Sequence, residues 1–273
     1  MSTKVAILQT TSGDEVARNL AAAAAQVEAA AARGAKLIAL PECFALMPRS
    51  RAQLRERAEV YGDGEIQRWL AHWSRAADVW IIAGSVPLRS DDPMRVFNAL
   101  LVHDPRGENV ARYDKIHLFD AALSGAERYA ESDYTMPGRE CVVQPTAAGA
   151  IGLSVCYDLR FPEMYRRLAA LGATVLAVPS AFALPTGAAH WEVLLRARAI
   201  ENACYVIAPA QVGVHPNGRR TYGHSLIIDP WGEVIAQRAD GVGAIFAEID
   251  LRKVERARTK LPSLTHRRLD LFN

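Results

Sequence analysis

Short apolar runs of strand length recur from one end of this chain to the other, with helical stretches between them. That alternation constrains the fold more than any other feature of the sequence. KVAILQT (Lys4 to Thr10), KLIALPE (from Lys36), VWIIAGSVPL (Val79 to Leu88), NALLVHD (Asn98 to Asp104) and AIGLSVCYD (Ala150 to Asp158) each suit a buried strand. So do ATVLAVPSA (Ala173 to Ala181), CYVIAPAQ (Cys204 to Gln211), HSLIIDPWG (His224 to Gly232) and AIFAEID (Ala244 to Asp250). A long helix is expected from about Asp14 to Arg33, ending at Gly34, and shorter ones begin at Pro162 and His190. Buried strands alternating with helices predict an α/β fold. No linker-like stretch or long charge block divides the chain, so residues 1–273 read as one domain. Two stretches share a plan of strand, helix and apolar strand ending in proline plus a polar residue: LIALPE closes one and VLAVPS the other. This hints at an internal duplication.

The charge balance excludes some partners. The 32 basic and 30 acidic residues are well mixed and leave a net charge of +2, which gives no footprint for nucleic acid or an anionic membrane. The Ala-rich run from Asn19 to Ala35 carries Gln26, Glu28 and Arg33, as an amphipathic helix would and a membrane span would not. MSTKVAILQT lacks the pattern of a secretory signal, so the cytoplasm is the expected location. Four cysteines without a CxxC pair argue against a disulfide framework or a structural zinc site. His117, His190, His215, His224 and His266 show no metal-ligand spacing, and there is no GxSxG, HExxH, Walker or dinucleotide motif. No metal or organic cofactor is expected.

Three residues stand where chemistry gathers in α/β folds, at or near the carboxyl ends of strands. Glu42 follows a strand-like run and Pro41; a solvent-facing strand end is the other reading. Lys115, in RYDKIHLFD, reads as a surface lysine or as a cation placed beside a developing oxyanion. Cys156 ends an apolar run and precedes a helix start at Pro162 and Glu163. It is either a nucleophile on a sharp strand-to-helix turn or a small buried hydrophobe. Of the other cysteines, Cys204 reads as core, Cys141 as loop or edge strand, and Cys43 as pocket wall.

LPE around Glu42, DKIHLFD around Lys115 and SVCYDLRFPE around Cys156 occur in an order and spacing that resemble the carbon–nitrogen hydrolase (nitrilase) superfamily. PSAFALPTGAAHWEVLLRARAIENACYVIAPAQ, YGHSLIIDPWG and THRRLDLF are similar to its Nit-type amidases. The resemblance runs from Val5 to the C-terminus. It implies a four-layer αββα sandwich, a homodimer or larger homo-oligomer, and hydrolysis of a small amide without a cofactor. It also implies that Glu42 is the general base, Lys115 the stabiliser of the tetrahedral intermediate and Cys156 the nucleophile, with Glu131 as a second glutamate beside them. The backbone N–H of Tyr157 would complete the oxyanion site. Arg160 is either a grip for a substrate carboxylate or part of a structural salt bridge with Glu163. Phe182, Thr186, His190 and Trp191 are expected in a loop that walls the pocket, and Arg49 and Arg51 at its border. The resemblance makes deaminated glutathione the first expected substrate and 2-oxoglutaramate or another small amide the second. A catalytically silent interaction protein on the same fold is the alternative of another class.

Overall fold

The computed structural model describes residues 2–124 and 127–271. Phe272, which ends the THRRLDLF segment, lies outside the described residues. The apolar runs fold into two sheets. The first contains β1 (Ser2–Gln9), β2 (Leu37–Ala39), β3 (Trp80–Ile82), β4 (Val86–Arg89), β5 (Val96–His103), β6 (Asn109–Asp114) and β17 (Gly243–Asp250). Its order is β17-β1-β2-β3-β5-β4, with β6 also paired to β5. The second contains β9 (Val143–Thr146), β10 (Gly149–Leu153), β11 (Val175–Ala177), β12 (Tyr205–Ala208), β15 (Ser225–Ile228) and β16 (Val234–Arg238), in the order β16-β15-β12-β11-β10-β9. Two ribbons lie outside the sheets: β7 (Asp120–Ser124) with β8 (Glu127–Ala130), and β13 (Val212–Val214) with β14 (Arg220–Tyr222). The helices are α1 (Val16–Ala32), α2 (Arg51–Glu56), α3 (Glu65–Ala76), α4 (Pro162–Ala170), α5 (Leu184–Asn202) and α6 (Leu251–Lys260).

Side-chain alternation along the strands sets the layers. On β1, Ala6 and Leu8 join one core with Leu20 and Val27 of α1 and Ile66 and Leu70 of α3. Val5 and Ile7 enter the other core, with Leu37 of β2, Ile151 and Leu153 of β10, and Val175 and Ala177 of β11. Leu168 of α4 and Trp191 and Leu195 of α5 pack on the second sheet. The result is a four-layer αββα sandwich. The two stretches of like plan form matching units, β1-α1-β2 and β10-α4-β11, in which the two strands run parallel.

One helix starts earlier than its sequence pattern suggests. The helix expected from His190 begins at Leu184, with Pro185 in its first turn. An N–H has no helical partner there, so proline costs nothing. Thr186, His190 and Trp191 are therefore helical, not loop residues. No described helix is long and apolar enough to cross a membrane.

Candidate active site

Two strand ends, those of β2 and β6, and one elbow bring the distant segments together. Beyond β2, Leu40 keeps the strand hydrogen bond to Ile82, and Pro41 and Glu42 follow. Gly84 lies against this turn with φ of 56°, and a Cβ there would come within 2.0 Å of the Pro41 carbonyl oxygen, so only glycine fits. Ser85 Oγ accepts from Cys43 N–H at 2.9 Å and fixes the residue after Glu42. Lys115 is the first residue after β6, and its N–H donates to Asn98 O at 3.1 Å. Cys156 sits in the left-handed region at φ 51°, with its N–H donating to Pro179 O at 3.0 Å. That backbone conformation costs a non-glycine residue about 1–2 kcal/mol, a strain often held at sites of chemistry.

The side chains converge. Lys115 Nζ donates to Glu42 Oε1 at 3.1 Å and to Glu131 Oε1 and Oε2 at 3.0 and 2.8 Å. Glu42 Oε2 accepts from Ala181 N–H at 2.9 Å, and Glu131 Oε2 accepts from Phe119 N–H at 2.7 Å. Cys156 and Glu42 face each other closely enough that each shifts the other's protonation. Glu42, Lys115, Glu131 and Cys156 are all buried.

Burial drives the protonation of each group, and its neighbours decide the outcome. Burial alone would push the Glu42 carboxyl up, but the Lys115 ammonium, the Arg219 guanidinium and hydrogen bonds from Cys156 and Ala181 bring it below its ordinary value. Burial works against the Lys115 ammonium, yet Glu131 and Glu42 hold it firmly charged. For Cys156, burial and then the Glu42 charge outweigh Lys115 and Arg219, so the thiol stays protonated far above the ordinary range. Cys43, beside Glu42, is likewise pushed up by burial to about 12 and is no competing thiolate. The cluster thus holds a neutral thiol against an ionised carboxylate, with a fixed cation next to both.

A cavity of about 440 Å³ is lined at its buried end by Glu42, Cys43, Lys115, Glu131 and Cys156, and at its exposed end by Arg49, Arg51 and Arg128. A narrower cleft on Cys156 is lined by Tyr157, Arg160, Phe182, Thr186, Phe119 and Arg219. Arg160 forms no ion pair with Glu163 among the described residues; its guanidinium lies 5.3 Å from the centre of the Phe182 ring. Two expected wall residues are corrected. Trp191 is fully buried, packs on Phe182 at 5.1 Å and donates its Nε1–H to His224 O at 2.8 Å. His190 is exposed and reaches the site only through Arg160, at 3.4 Å. Both misplacements follow from the early start of α5, which turns Trp191 onto the core face. Cys204 is buried in the core as expected, and Cys141 is half-buried outside the cavity. Among the described residues no group of three or more His, Cys, Asp or Glu is placed to hold a metal ion.

Three further residues at or beside the site were not singled out from the sequence. Asn98 Nδ2 donates to Glu42 Oε1 at 3.0 Å and lies 3.4 Å from Glu131 Oε1, bridging the two carboxylates. Arg219 lines both cavity and cleft. Asp158, fully buried, accepts at Oδ2 from Val155 N–H at 2.8 Å and Tyr113 OH at 2.6 Å. At Oδ1 it accepts from His117 N–H at 3.0 Å and His117 Nδ1 at 2.7 Å, which assigns the ring proton to Nδ1. One carboxylate thereby ties the residue before Cys156 to residues two before and two after Lys115. Asp158→Asn replaces acceptor capacity with a donor facing donors, and is expected to cost about 3 kcal/mol of stability in urea unfolding. Unchanged stability would show that this hub holds nothing.

Comparison with known proteins follows the same lines. Residues 4–259 match the carbon–nitrogen hydrolase family. A deaminated glutathione amidase from Yersinia enterocolitica is 42% identical over 97% of this chain and 92% of its own. The NitFhit protein of C. elegans superposes with a TM-score of 0.94 at 39% identity, covering 100% of this chain and 66% of that one. Saccharomyces cerevisiae Nit3, a member of branch 10 of the nitrilase superfamily, gives 0.86 at 30% identity over 96% of this chain and 94% of its own.

Proposed function

The chain belongs to the carbon–nitrogen hydrolase family, and from that premise we propose that it cleaves deaminated glutathione through a thioester on Cys156. It is a hydrolase of carbon–nitrogen bonds other than peptide bonds, and its substrate is a small-molecule amide. The observation that carries this reading is the buried convergence of Glu42, Lys115, Glu131 and Cys156 at one end of a cavity, with the Lys115 ammonium bonded to both carboxylates.

The Cys156 sulfur attacks the amide carbon while its proton passes to Glu42. The thiol is not ionised beforehand, so proton transfer and bond formation go together. The oxyanion is stabilised by Lys115 Nζ and the Tyr157 backbone N–H, each donor worth about 3 kcal/mol. Glu42 returns the proton to the departing nitrogen. It then takes a proton from water, which attacks the thioester, and the second tetrahedral intermediate expels the sulfur, to which Glu42 returns that proton, restoring the neutral thiol. One water is consumed; 2-oxoglutarate and cysteinylglycine leave. Glu131 and Asn98 hold the Lys115 and Glu42 heads in place.

The substrate assignment rests on the two spaces flanking Cys156. The narrow cleft, with about 10 Å³ of free space, presents Arg160 and Thr186 to the carboxylate end of the acyl half. The 440 Å³ cavity suits a dipeptide leaving group, with Arg49 and Arg51 near its carboxylate. Ammonia, the leaving group from 2-oxoglutaramate, would leave that cavity unused. The test is a substrate panel of deaminated glutathione, 2-oxoglutaramate, a simple aliphatic amide and a nitrile. Deaminated glutathione should exceed 2-oxoglutaramate in kcat/KM by about 10-fold or more, because the tail adds orienting contacts. Equal efficiency, or the reverse order, would favour an ω-amidase.

A pH profile tests the protonation states. Glu42 lies below its ordinary value of 4.5 and must be ionised to act, so kcat/KM should fall only in acid below that value. Cys156 is raised, so no limb should occur near the ordinary thiol value of 9.0. A limb there would mean that a free thiolate is the nucleophile.

A further inference from the structure

Arg219, in the loop between β13 and β14, helps keep Glu42 ionised and takes no other part in the chemistry above. It lines both the cavity and the cleft, as Cys156 and Phe119 also do. Its Nη2 donates to the Ala181 carbonyl, and the N–H of the same residue donates to Glu42 Oε2. Its guanidinium carbon is 5.5 Å from the centre of the Tyr129 ring. Its Nε–H is shut off from solvent and has no hydrogen-bond partner among the described residues. A buried donor left unmade costs about 1–3 kcal/mol, and native interiors seldom keep one without a use.

The charge count points the same way. Within the site, the carboxylates of Glu42 and Glu131 are matched by the cations of Lys115 and Arg219. Arg160 adds a further positive charge to the cleft, and among the described residues its one polar contact is the 3.4 Å approach to His190 Nδ1. A cleft with two guanidinium groups and the Thr186 hydroxyl suits an anion with several acceptor edges. A 2-oxo acid is such a group, since its carboxylate and keto oxygen lie side by side.

We propose that Arg219 is a specificity-determining residue that binds the 2-oxo acid end of the acyl half, its guanidinium meeting the carboxylate together with Arg160. This rests on the substrate class given above. The test is calorimetric titration of 2-oxoglutarate into the full-length protein and into Arg219→Gln and Arg219→Lys. Arg219→Gln should raise Kd roughly 30-fold, the value of a charge-assisted hydrogen bond. Arg219→Lys keeps the charge but loses the planar fork, and should raise it about 5-fold. KM for 2-oxoglutaramate and for deaminated glutathione should rise by similar factors, with kcat changed less. An unchanged Kd in both variants, or no binding of 2-oxoglutarate by the unaltered protein, overturns the inference. So does a KM rise confined to deaminated glutathione, which would place Arg219 on the leaving group, or a loss confined to kcat, which would place it on Glu42. Should Arg219→Gln fail to fold by circular dichroism, Arg219→Lys carries the test. Failure of the substrate reading looks different: the unaltered protein would bind 2-oxoglutarate but release it from neither amide.

Discussion

Cys156→Ala is expected to abolish amide turnover, by about 10⁵-fold or more, because every covalent step passes through its sulfur. The fold should survive. Alanine and cysteine bear a similar cost at φ 51°, and the bond from residue 156 N–H to Pro179 O is a backbone contact. Cys204→Ala is the control. Cys204 is buried, with its sulfur 3.2 Å from both Ala173 O and Arg258 Nη2. Its loss should lower stability while each folded molecule keeps its activity. Retained activity in Cys156→Ala would remove the thioester from the mechanism.

The second large effect is at Lys115. Lys115→Met keeps the length of the side chain and removes the cation between Glu42 and Glu131. Loss of an oxyanion donor should lower kcat about 10³-fold. Stability should fall by about 3–5 kcal/mol at neutral pH, because buried carboxylates lose their counter-ion. The sign of the pH dependence follows from Glu42. With Lys115 present its carboxyl is held below the ordinary value, so it contributes stability above that value that is lost as acid protonates it. Without Lys115 the carboxyl rises from that lowered position, because burial is then opposed only by Arg219 and the bonds from Cys156 and Ala181. Ionised Glu42 then contributes less to folding, and the deficit should shrink as pH falls and the carboxyl is protonated with or without Lys115. Denaturant titrations at neutral and mildly acid pH measure this difference; a deficit that grows in acid would contradict it. Lys115→Arg keeps the charge but cannot present one nitrogen to both carboxylates, so a large rate loss is expected there too.

The legible parts of the sequence were those with local causes. Apolar runs that fill both faces of a strand gave the two sheets, and a cysteine between a strand and a proline-started helix marked the elbow. Lys115 was not legible by itself. RYDKIHLFD carries the charges of a surface segment, yet the lysine is 2% exposed, because the β6 edge and the Glu131 turn close over it. Only the resemblance singled it out. Asn98, Asp158 and Arg219 were missed because their significance lies in partners far along the chain: Asp158 meets Tyr113 across 45 residues, Asn98 meets Glu42 across 56 and Arg219 meets Ala181 across 38. Nothing local to Arg219 and Arg220 distinguishes the one that lines the cavity from its exposed neighbour. Trp191 was over-read, since an aromatic beside a histidine suggests a pocket wall until the start of α5 at Leu184 is known.

The most direct measurement is mass spectrometry of the protein acid-quenched during steady-state turnover of deaminated glutathione, followed by peptide mapping. The expected result is a gain equal to one 2-oxoglutaryl group less the thiol proton, located on Cys156, released by hydroxylamine and absent from Cys156→Ala. Full turnover with no adduct on Cys156 under conditions that slow deacylation, or an adduct on another residue, would contradict the nucleophile assigned to Cys156.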